Sequence, residues 1–115
     1  MNLQIFYLKK NFDVQKAERF FKERRVSYQL VDLTRAPLGK RVLQDVCAAV
    51  GLETVLDRSG KDFLESTIRF SNDSERIVEA MIANPRLIRL PIVRNGRKAT
   101  VGAAEKIWEE WVSSS

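Results

Sequence analysis

The feature that most constrains the fold is an apolar strand followed at once by an amphipathic helix and a second apolar strand. The run LQIFYL at residues 3–8 predicts a strand buried on both faces. From Asp13 to about Arg25, apolar residues recur at helical spacing: Val14, Ala17, Phe20 and Phe21. Either Asn11 or Asp13 can cap the first turn of this helix. VSYQLVDL at 26–33 alternates and is rich in β-branched and aromatic residues, which predicts a second strand. This order favours a right-handed βαβ unit with parallel strands.

The middle of the chain is predicted to be largely helical. Apolar residues at helical intervals predict a helix over 42–50. Residues 52–70 are less regular and fit one helical turn, a loop and an ambiguous stretch. Asn72 and Glu75 resemble a capping box at the start of another helix, which Asn84-Pro85 ends.

The last part of the chain predicts a hairpin and a helix. LPIVRNGRKATVG contains two short antiparallel strands around Asn95-Gly96, because both residues tolerate the positive φ of a tight turn. An amphipathic helix over 103–112 follows, and we expect the serine tail at 113–115 to be frayed. The order β-α-β, helices, β-β-α is that of a thioredoxin-like fold. We therefore expect one α/β domain over residues 1–115, with a mixed four-stranded sheet, flanking helices and a three-helix insert between its halves.

The amino-acid composition argues against several kinds of active site. The chain has no histidine and one cysteine, so zinc, haem and Ser-His chemistry lose their usual ligands and bases, and we expect no metal site. Cys47 lies on the apolar stripe of a predicted helix and is interpreted as an inert core thiol. No apolar run approaches the ~20 residues that span a bilayer, and the N-terminus lacks a signal-peptide pattern. We expect a cytoplasmic protein without membrane contact.

The net charge of +5 fits an anionic ligand, an acidic protein or nucleic acid and does not choose among them. A solvated surface explains most of the basic residues. The densest basic group is Arg86, Arg89, Arg94, Arg97 and Lys98.

Almost the whole chain resembles the arsenate reductase (ArsC)/Spx family, and in particular its small glutaredoxin-like bacterial members. The resemblance is carried by IFYLKKNFDVQKAERFFKERRVSYQLVDL, by AVGLETVLDRSGKDF, and by NPRLIRLPIVRNGRKATVG followed by IWEEW. In that family the loop after the first strand carries a cysteine, whose thiolate is stabilised at a helix N-terminus. We expect no cofactor in this chain, and the resemblance implies glutathione as a possible co-substrate of active relatives. Here Asn11 occupies the cysteine position, and Val14 that of the second cysteine of Spx-type members. We therefore expect little or no reductase activity, and no catalytic residue is assigned.

The resemblance also implies a candidate site for a thiol or oxyanion ligand. Leu90 stands where arsenate reductases of the family place an arginine before the proline. Arg89 matches the first arginine of Spx-like members, although a structural salt bridge is an equal alternative. Pro91 matches the cis proline of thioredoxin-like folds. Lys16 can add positive potential if it bends back toward the loop, but it can also be an ordinary exposed helix lysine. The candidate ligand-binding residues are Lys9, Lys10, Asn11, Lys16, Arg89 and Pro91.

The alternative function is that of an Spx-like regulator without enzymatic activity. Such a module would bind an acidic partner such as RNA polymerase through its basic surface or through its inserted helices. Direct nucleic-acid binding is the weakest hypothesis, because the sequence has no recognition motif and its charge is modest.

Overall fold

The computed structural model describes residues 1–114 and contains a mixed four-stranded sheet in the order β2-β1-β3-β4. The strands are β1 (Leu3–Tyr7), β2 (Tyr28–Asp32), β3 (Ile92–Asn95) and β4 (Lys98–Val101). β1 pairs in parallel with β2 and antiparallel with β3, which in turn pairs antiparallel with β4. The predicted α/β fold and its mixed sheet are confirmed.

The helices cover both faces of this sheet. They are α1 (Phe12–Glu23), α2 (Lys40–Val50), α3 (Leu52–Val55), α4 (Lys61–Leu64), α5 (Ser74–Ala83) and α6 (Glu105–Ser113), with 3-10 turns at Thr67–Phe70 and Pro85–Leu87. The insert is therefore not a set of three helices. It has two long helices, α2 and α5, separated by two single-turn helices and a 3-10 turn. The first single-turn helix, α3, ends at Val55 because Leu56 adopts extended backbone and forms a bridge with Ile88.

Helix α5 begins one residue later than its predicted capping box implies. The side chain of Asp73 caps it, accepting the N–H groups of Glu75 at 3.1 Å and Arg76 at 3.4 Å. The prediction that Asn72 is the capping residue is therefore wrong. At this position a carboxylate adds favourable charge at the positive end of the helix.

The hairpin forms where Asn95-Gly96 predicts it, but its two turn residues are Gly96 and Arg97. Asn95 still pairs with Lys98 in the ladder. Of these four residues, Gly96 alone has a positive φ, of 61°. A glycine with positive φ at the first turn position is the type II′ pattern. The prediction that Asn95 takes a turn position is wrong, because the strand pairing extends through it.

Two apolar cores lie on opposite faces of β1, which confirms that this strand is buried on both sides. Phe6 and Ile92 belong to the core under the insert, whereas Leu3, Ile5 and Val93 pack toward α1 and α6.

The centre of the second core is Trp108, which is fully buried. Its indole N–H donates a hydrogen bond of 2.8 Å to the hydroxyl of Thr100. Its ring lies 5.5 Å, between centroids, from both Phe20 and Phe21. This aromatic contact fixes α6 against α1.

Cys47 belongs to the core only in part. Its side chain is half-buried and packs against the apolar cluster under the insert. Burial raises the pKa of its thiol, which favours the protonated form.

The chain ends in α6. Ser113 closes this helix and Ser114 caps it, donating its hydroxyl to the carbonyl of Glu110 at 2.8 Å. Ser115, the remainder of the tail predicted to be frayed, lies outside the described residues. Over residues 1–114, no helix combines the length and apolar character needed to cross a membrane.

Candidate functional site

The loop after β1 leads into α1, whose first turn is capped by Asn11. Asn11 has extended backbone, and its side-chain oxygen accepts the N–H of Val14 at 2.9 Å. Its carbonyl accepts the N–H of Gln15 at 3.1 Å, while its own N–H donates to the carbonyl of Lys9 at 2.8 Å. Asn11 is therefore the capping residue of α1, and Asp13, the other candidate, lies in the first turn. This cap stabilises the helix by about 1 kcal/mol relative to alanine.

The start of α1 keeps unpaired donors. Among residues 1–114, the backbone N–H groups of Phe12 and Asp13 have no protein acceptor. The first amides of a helix carry partial positive charge, which favours an anion bound next to them. The start of α1 therefore offers partial positive charge to an anion, although Asn11 has no thiol.

A cavity of about 540 Å³ opens beside this loop. Its apolar wall consists of Leu8, Ile88 and Leu90, and its polar lining consists of Lys9, Asn11, Thr34, Asp57, Arg86 and Arg89. Three cations and one carboxylate surround it, which leaves an excess of two positive charges. The volume lies within the range of small-molecule sites.

The three cations of the cavity are not neutralised by the protein. Within the described part of the chain, Lys9, Arg86 and Arg89 form no ion pair, whereas other basic side chains do: Lys10, Lys16, Arg24, Arg35, Lys40, Arg41, Arg58 and Arg94. The salt-bridge alternative for Arg89 is thus not realised. All three are exposed, so their charge is free for an anion from solvent.

Three of the six predicted ligand residues do not line the cavity: Lys10, Lys16 and Pro91. The two lysines are held in ion pairs. Lys10 pairs with Glu18 at 3.4 Å. Lys16 pairs with Glu105 of α6 at 3.1 Å, and its ammonium lies 5.6 Å from the ring centre of Phe12. Neither lines the cavity. Lys16 is thus directed toward α6 and not back over the loop.

The peptide bond between Leu90 and Pro91 is cis, as predicted. Pro91 is buried, and its carbonyl accepts the N–H of Gly102 at 2.8 Å. On the other side, the N–H of Arg89 donates to the carbonyl of Val55 at 2.8 Å. Backbone hydrogen bonds therefore hold the segment on both sides of Leu90, which faces the cavity.

The sequence interpretation missed several residues of the lining, in particular Thr34, Asp57 and Arg86. Thr34 follows the carboxyl end of β2, and its N–H and hydroxyl both bind a carboxylate oxygen of Asp32, at 2.9 and 2.7 Å. These hydrogen bonds hold the pKa of Asp32 below its usual value. The carboxyl ends of parallel strands meet at one edge of a sheet, and this rule would have drawn attention to Thr34.

The cavity carries positive charge that can hold an anion, and no cysteine is among its lining residues. The amide oxygen of Asn11 is an acceptor that already caps the helix. The thiol of Cys47 belongs to α2, where it lies beside Gln44, Leu52 and Val78. Among residues 1–114, no group of three or more acidic, cysteine or histidine side chains is arranged to bind a metal.

Comparisons with known proteins agree with this architecture. The ArsC family model matches residues 6–111. No curated protein matches the chain significantly.

Three solved structures show the same fold. A YffB protein is 24% identical, with a TM-score of 0.82 over 94% of this chain and 96% of its own. An arsenate reductase (ArsC) related protein from Brucella melitensis is 23% identical, with a TM-score of 0.68 over 96% and 94%. An arsenate reductase from Vibrio cholerae is 17% identical, with a TM-score of 0.83 over 96% and 97%. At these identities the likeness establishes the fold and not the activity.

Proposed function

Starting from the fact that the chain belongs to the ArsC family, we propose that it is a non-catalytic member of that family, located in the cytoplasm. It binds a small anion, either an oxyanion or a glutathione-like thiol compound, in the cavity at the start of α1. The observation that carries the proposal is the set of three unpaired cations, Lys9, Arg86 and Arg89, around a cavity whose nucleophile position holds Asn11.

The chemistry of position 11 supports the loss of reductase activity. Reduction of arsenate by a thiol begins with attack of a thiolate sulfur and ends with a disulfide, so it needs a group that can give up electrons. The side-chain amide of Asn11 can neither attack arsenate as a thiolate does nor form a disulfide. Cys47 is the single cysteine of the chain and therefore the one other thiol that could replace the missing nucleophile. It is half-buried in α2, and burial raises the pKa of its thiol. A thiol held protonated is a poor nucleophile.

The electrostatics support retention of anion binding. Three side-chain cations line the cavity, and one carboxylate, Asp57, partly balances them. The two unpaired amides of the α1 N-terminus directly follow Asn11, which is itself a lining residue. The apolar wall of Leu8, Ile88 and Leu90 supplies room for the organic part of a thiol peptide. Phosphate and arsenate are inorganic oxyanions, whereas glutathione presents carboxylates and a thiol, so the experiment must separate these two ligand classes.

The test is a calorimetric titration of the protein with phosphate, arsenate and glutathione, with neighbouring lysines as a matched pair. Lys9→Gln removes an unpaired cation of the cavity, and we expect about tenfold weaker binding, as for loss of one charged hydrogen bond. Lys10→Gln changes the next residue, whose charge is already paired with Glu18, and should leave the affinity within about twofold. Equal effects of the two variants would contradict the proposed site.

A coupled glutaredoxin assay tests the missing activity in parallel. The unmodified chain should not turn over arsenate or form a mixed disulfide with glutathione disulfide. Turnover by the unmodified chain would overturn the interpretation of Asn11. Binding of glutathione but not of oxyanions would identify the thiol compound as the ligand, and the reverse result would identify the oxyanion.

A second candidate, an Spx-like regulator that binds RNA polymerase or another acidic protein, is favoured by exposed aromatic residues. Phe12 is 70% exposed beside the cavity, and Phe70 is 77% exposed on the insert. Exposed aromatic side chains are common anchors of protein interfaces. Pulldown with purified RNA polymerase tests this function: Phe12→Ser or Phe70→Ser should abolish capture, while Asn11→Ala should not. Failure of the unmodified chain to capture the polymerase would contradict it.

A further inference from the structure

We propose that the protein has a second ligand site, specific for a phosphoryl group, in a cleft beside the β3–β4 hairpin. Arg41, Arg94 and Arg97 form this site. It is distinct from the cavity at the start of α1 and does not depend on the function proposed for that cavity.

The two sites lie at opposite ends of the sheet. β1 runs from Leu3 to Tyr7 and leads into the loop of Asn11. β3 is antiparallel to it, with Asn95 opposite Leu3 and Ile92 opposite Phe6. The hairpin turn is therefore beside the beginning of β1, whereas the first cavity is beyond its end. One small ligand cannot occupy both.

The cleft has a volume of about 660 Å³ and lies between the hairpin and one face of α2. Its small lining residues, Ala48, Ala49 and Gly96, leave space between the charged side chains. Three guanidinium groups and one carboxylate, that of Asp45, line it. The protein thus leaves an excess of two positive charges in the cleft.

Arg94 carries the strongest argument, because its charge is largely removed from solvent and poorly satisfied. Its side chain is 24% exposed. One terminal nitrogen donates to the amide oxygen of Gln4 at 3.0 Å. The other lies 3.7 Å from a carboxylate oxygen of Asp45, beyond hydrogen-bond range, and the buried Nε has no partner. A guanidinium has five N–H donors, and leaving the buried Nε–H without an acceptor is costly.

The carboxylate of Asp45 does not neutralise the cluster. It lies 3.7 Å from Arg41 as well as from Arg94, so two cations share one anion at a distance that is too long for hydrogen bonds. Arg97, at the second turn position, has no ion pair within residues 1–114. The side chain of Arg41 is 88% exposed.

A phosphoryl group matches this arrangement better than a carboxylate does. A phosphate monoester carries a charge of about −1.5 to −2 at neutral pH and three acceptor oxygens. That charge balances the excess of two, and three oxygens suit donors that arrive from three directions. Guanidinium groups also bind phosphate oxygens in bidentate fashion. A single carboxylate would leave one positive charge uncompensated.

A neighbouring cleft, also of about 660 Å³, adjoins the arginine-lined cleft and shares Ala49 and Arg97 with it. Ile107 and Trp111 of α6 give it an apolar wall. Ile107 is 44% exposed, so its surface is available for contact. The ligand class is therefore a phosphate monoester that carries an apolar or aromatic group.

The experiment is an NMR titration of isotopically labelled protein with phenyl phosphate, inorganic phosphate and phenol. We expect phenyl phosphate to shift the amide signals of Ala48, Ala49, Gly96 and Arg97, inorganic phosphate to shift the same signals at higher concentration, and phenol to shift none. Arg97→Gln should weaken phenyl phosphate binding about tenfold. The matched control Arg19→Gln removes an exposed arginine of α1 that lines neither cleft, and it should change the affinity less than twofold.

Three results would overturn the proposal: no shift at millimolar phenyl phosphate, shifts confined to residues around Lys9 and Asn11, or equal weakening by Arg97→Gln and Arg19→Gln. The last would mean general charge attraction. Lys9→Gln, which acts at the first cavity, should leave these shifts unchanged. Failure of this site and failure of the proposed function are therefore separate results.

Discussion

Replacing Asn11 by cysteine tests whether the loop still stabilises a thiolate. Asn11 lies at the N-cap of α1, with the unpaired amides of Phe12 and Asp13 beside it and unpaired cations around the adjoining cavity. If this environment is intact, the introduced thiol should have a pKa well below that of an ordinary cysteine. If the environment has been lost along with the thiol, the pKa should be ordinary.

The expected size of the effect follows from the exposed position of the side chain. A helix N-terminus stabilises an adjacent anion by about 1 kcal/mol at such a site. One cation within about 4 Å adds about 1 kcal/mol in a water-like dielectric. Together, about 2 kcal/mol corresponds to about 1.5 pKa units, since one unit is 1.36 kcal/mol. The pKa should therefore fall from about 8.5 to about 7.

The assay is the pH dependence of alkylation by iodoacetamide, with each modified cysteine resolved by mass spectrometry. A full pH profile is needed because a thiolate of lower pKa is also less nucleophilic, so a rate at one pH underestimates the shift. Cys47 gives an internal comparison, since burial raises its thiol pKa. Ser27→Cys serves as the matched control, because Ser27 is exposed and follows α1 instead of preceding it.

A profile midpoint for Asn11→Cys at or above that of Ser27→Cys would refute the reasoning. It would mean that the amides and cations near the loop do not act on position 11. Circular dichroism must show that the variant is folded, since loss of the asparagine cap costs about 1 kcal/mol. Adding Lys9→Gln to Asn11→Cys should raise the midpoint by about 0.7 unit if Lys9 supplies the ~1 kcal/mol assigned to one cation.

Three further predictions concern stability and are measured by urea unfolding. Asp73→Ala should lower the free energy of unfolding by about 1 kcal/mol, whereas Asn72→Ala should change it by a few tenths at most; equal effects would contradict the assigned cap. Thr100→Val should cost about 1–3 kcal/mol, because it leaves the buried N–H of Trp108 without an acceptor; a neutral result would contradict this. Burial, and then a neighbouring carboxylate, raises the pKa of Tyr28 from 10.0 to about 12. The stability that this phenol contributes is therefore complete below pH 10 and is lost as the pH rises through about 12. Tyr28→Phe should flatten that decline, and an unchanged pH profile would exclude Tyr28 as its cause.

The elements of the fold could be predicted because they depend on neighbours in sequence. The apolar spacing of Val14, Ala17, Phe20 and Phe21 places α1, and these four residues are its buried face. Asn11 caps that helix through the N–H of a residue three positions away. Even the errors at Asn72 and Asn95 are shifts of one residue. Local periodicity and capping chemistry are sufficient for such features.

The candidate site was predictable only in part. The resemblance to the ArsC family led to Lys9, Asn11 and Arg89, all of which line the cavity. It also led to Lys10 and Lys16, whose charges are paired with Glu18 and Glu105. Glu105 is distant in the chain, and no spacing rule connects it to Lys16. Only the packing of α6 against α1 brings the two together.

By itself, then, the sequence determined the order of strands and helices, the family and the absence of a thiol at position 11. The tertiary structure alone decided which cations remain unpaired and where they act. It divides the basic group of the sequence in two: Arg86 and Arg89 precede β3 at one end of the sheet, and Arg94 and Arg97 lie at or beside its turn at the other. An extended strand advances about 3.4 Å per residue, so a few intervening residues suffice to place neighbours in sequence in two separate sites.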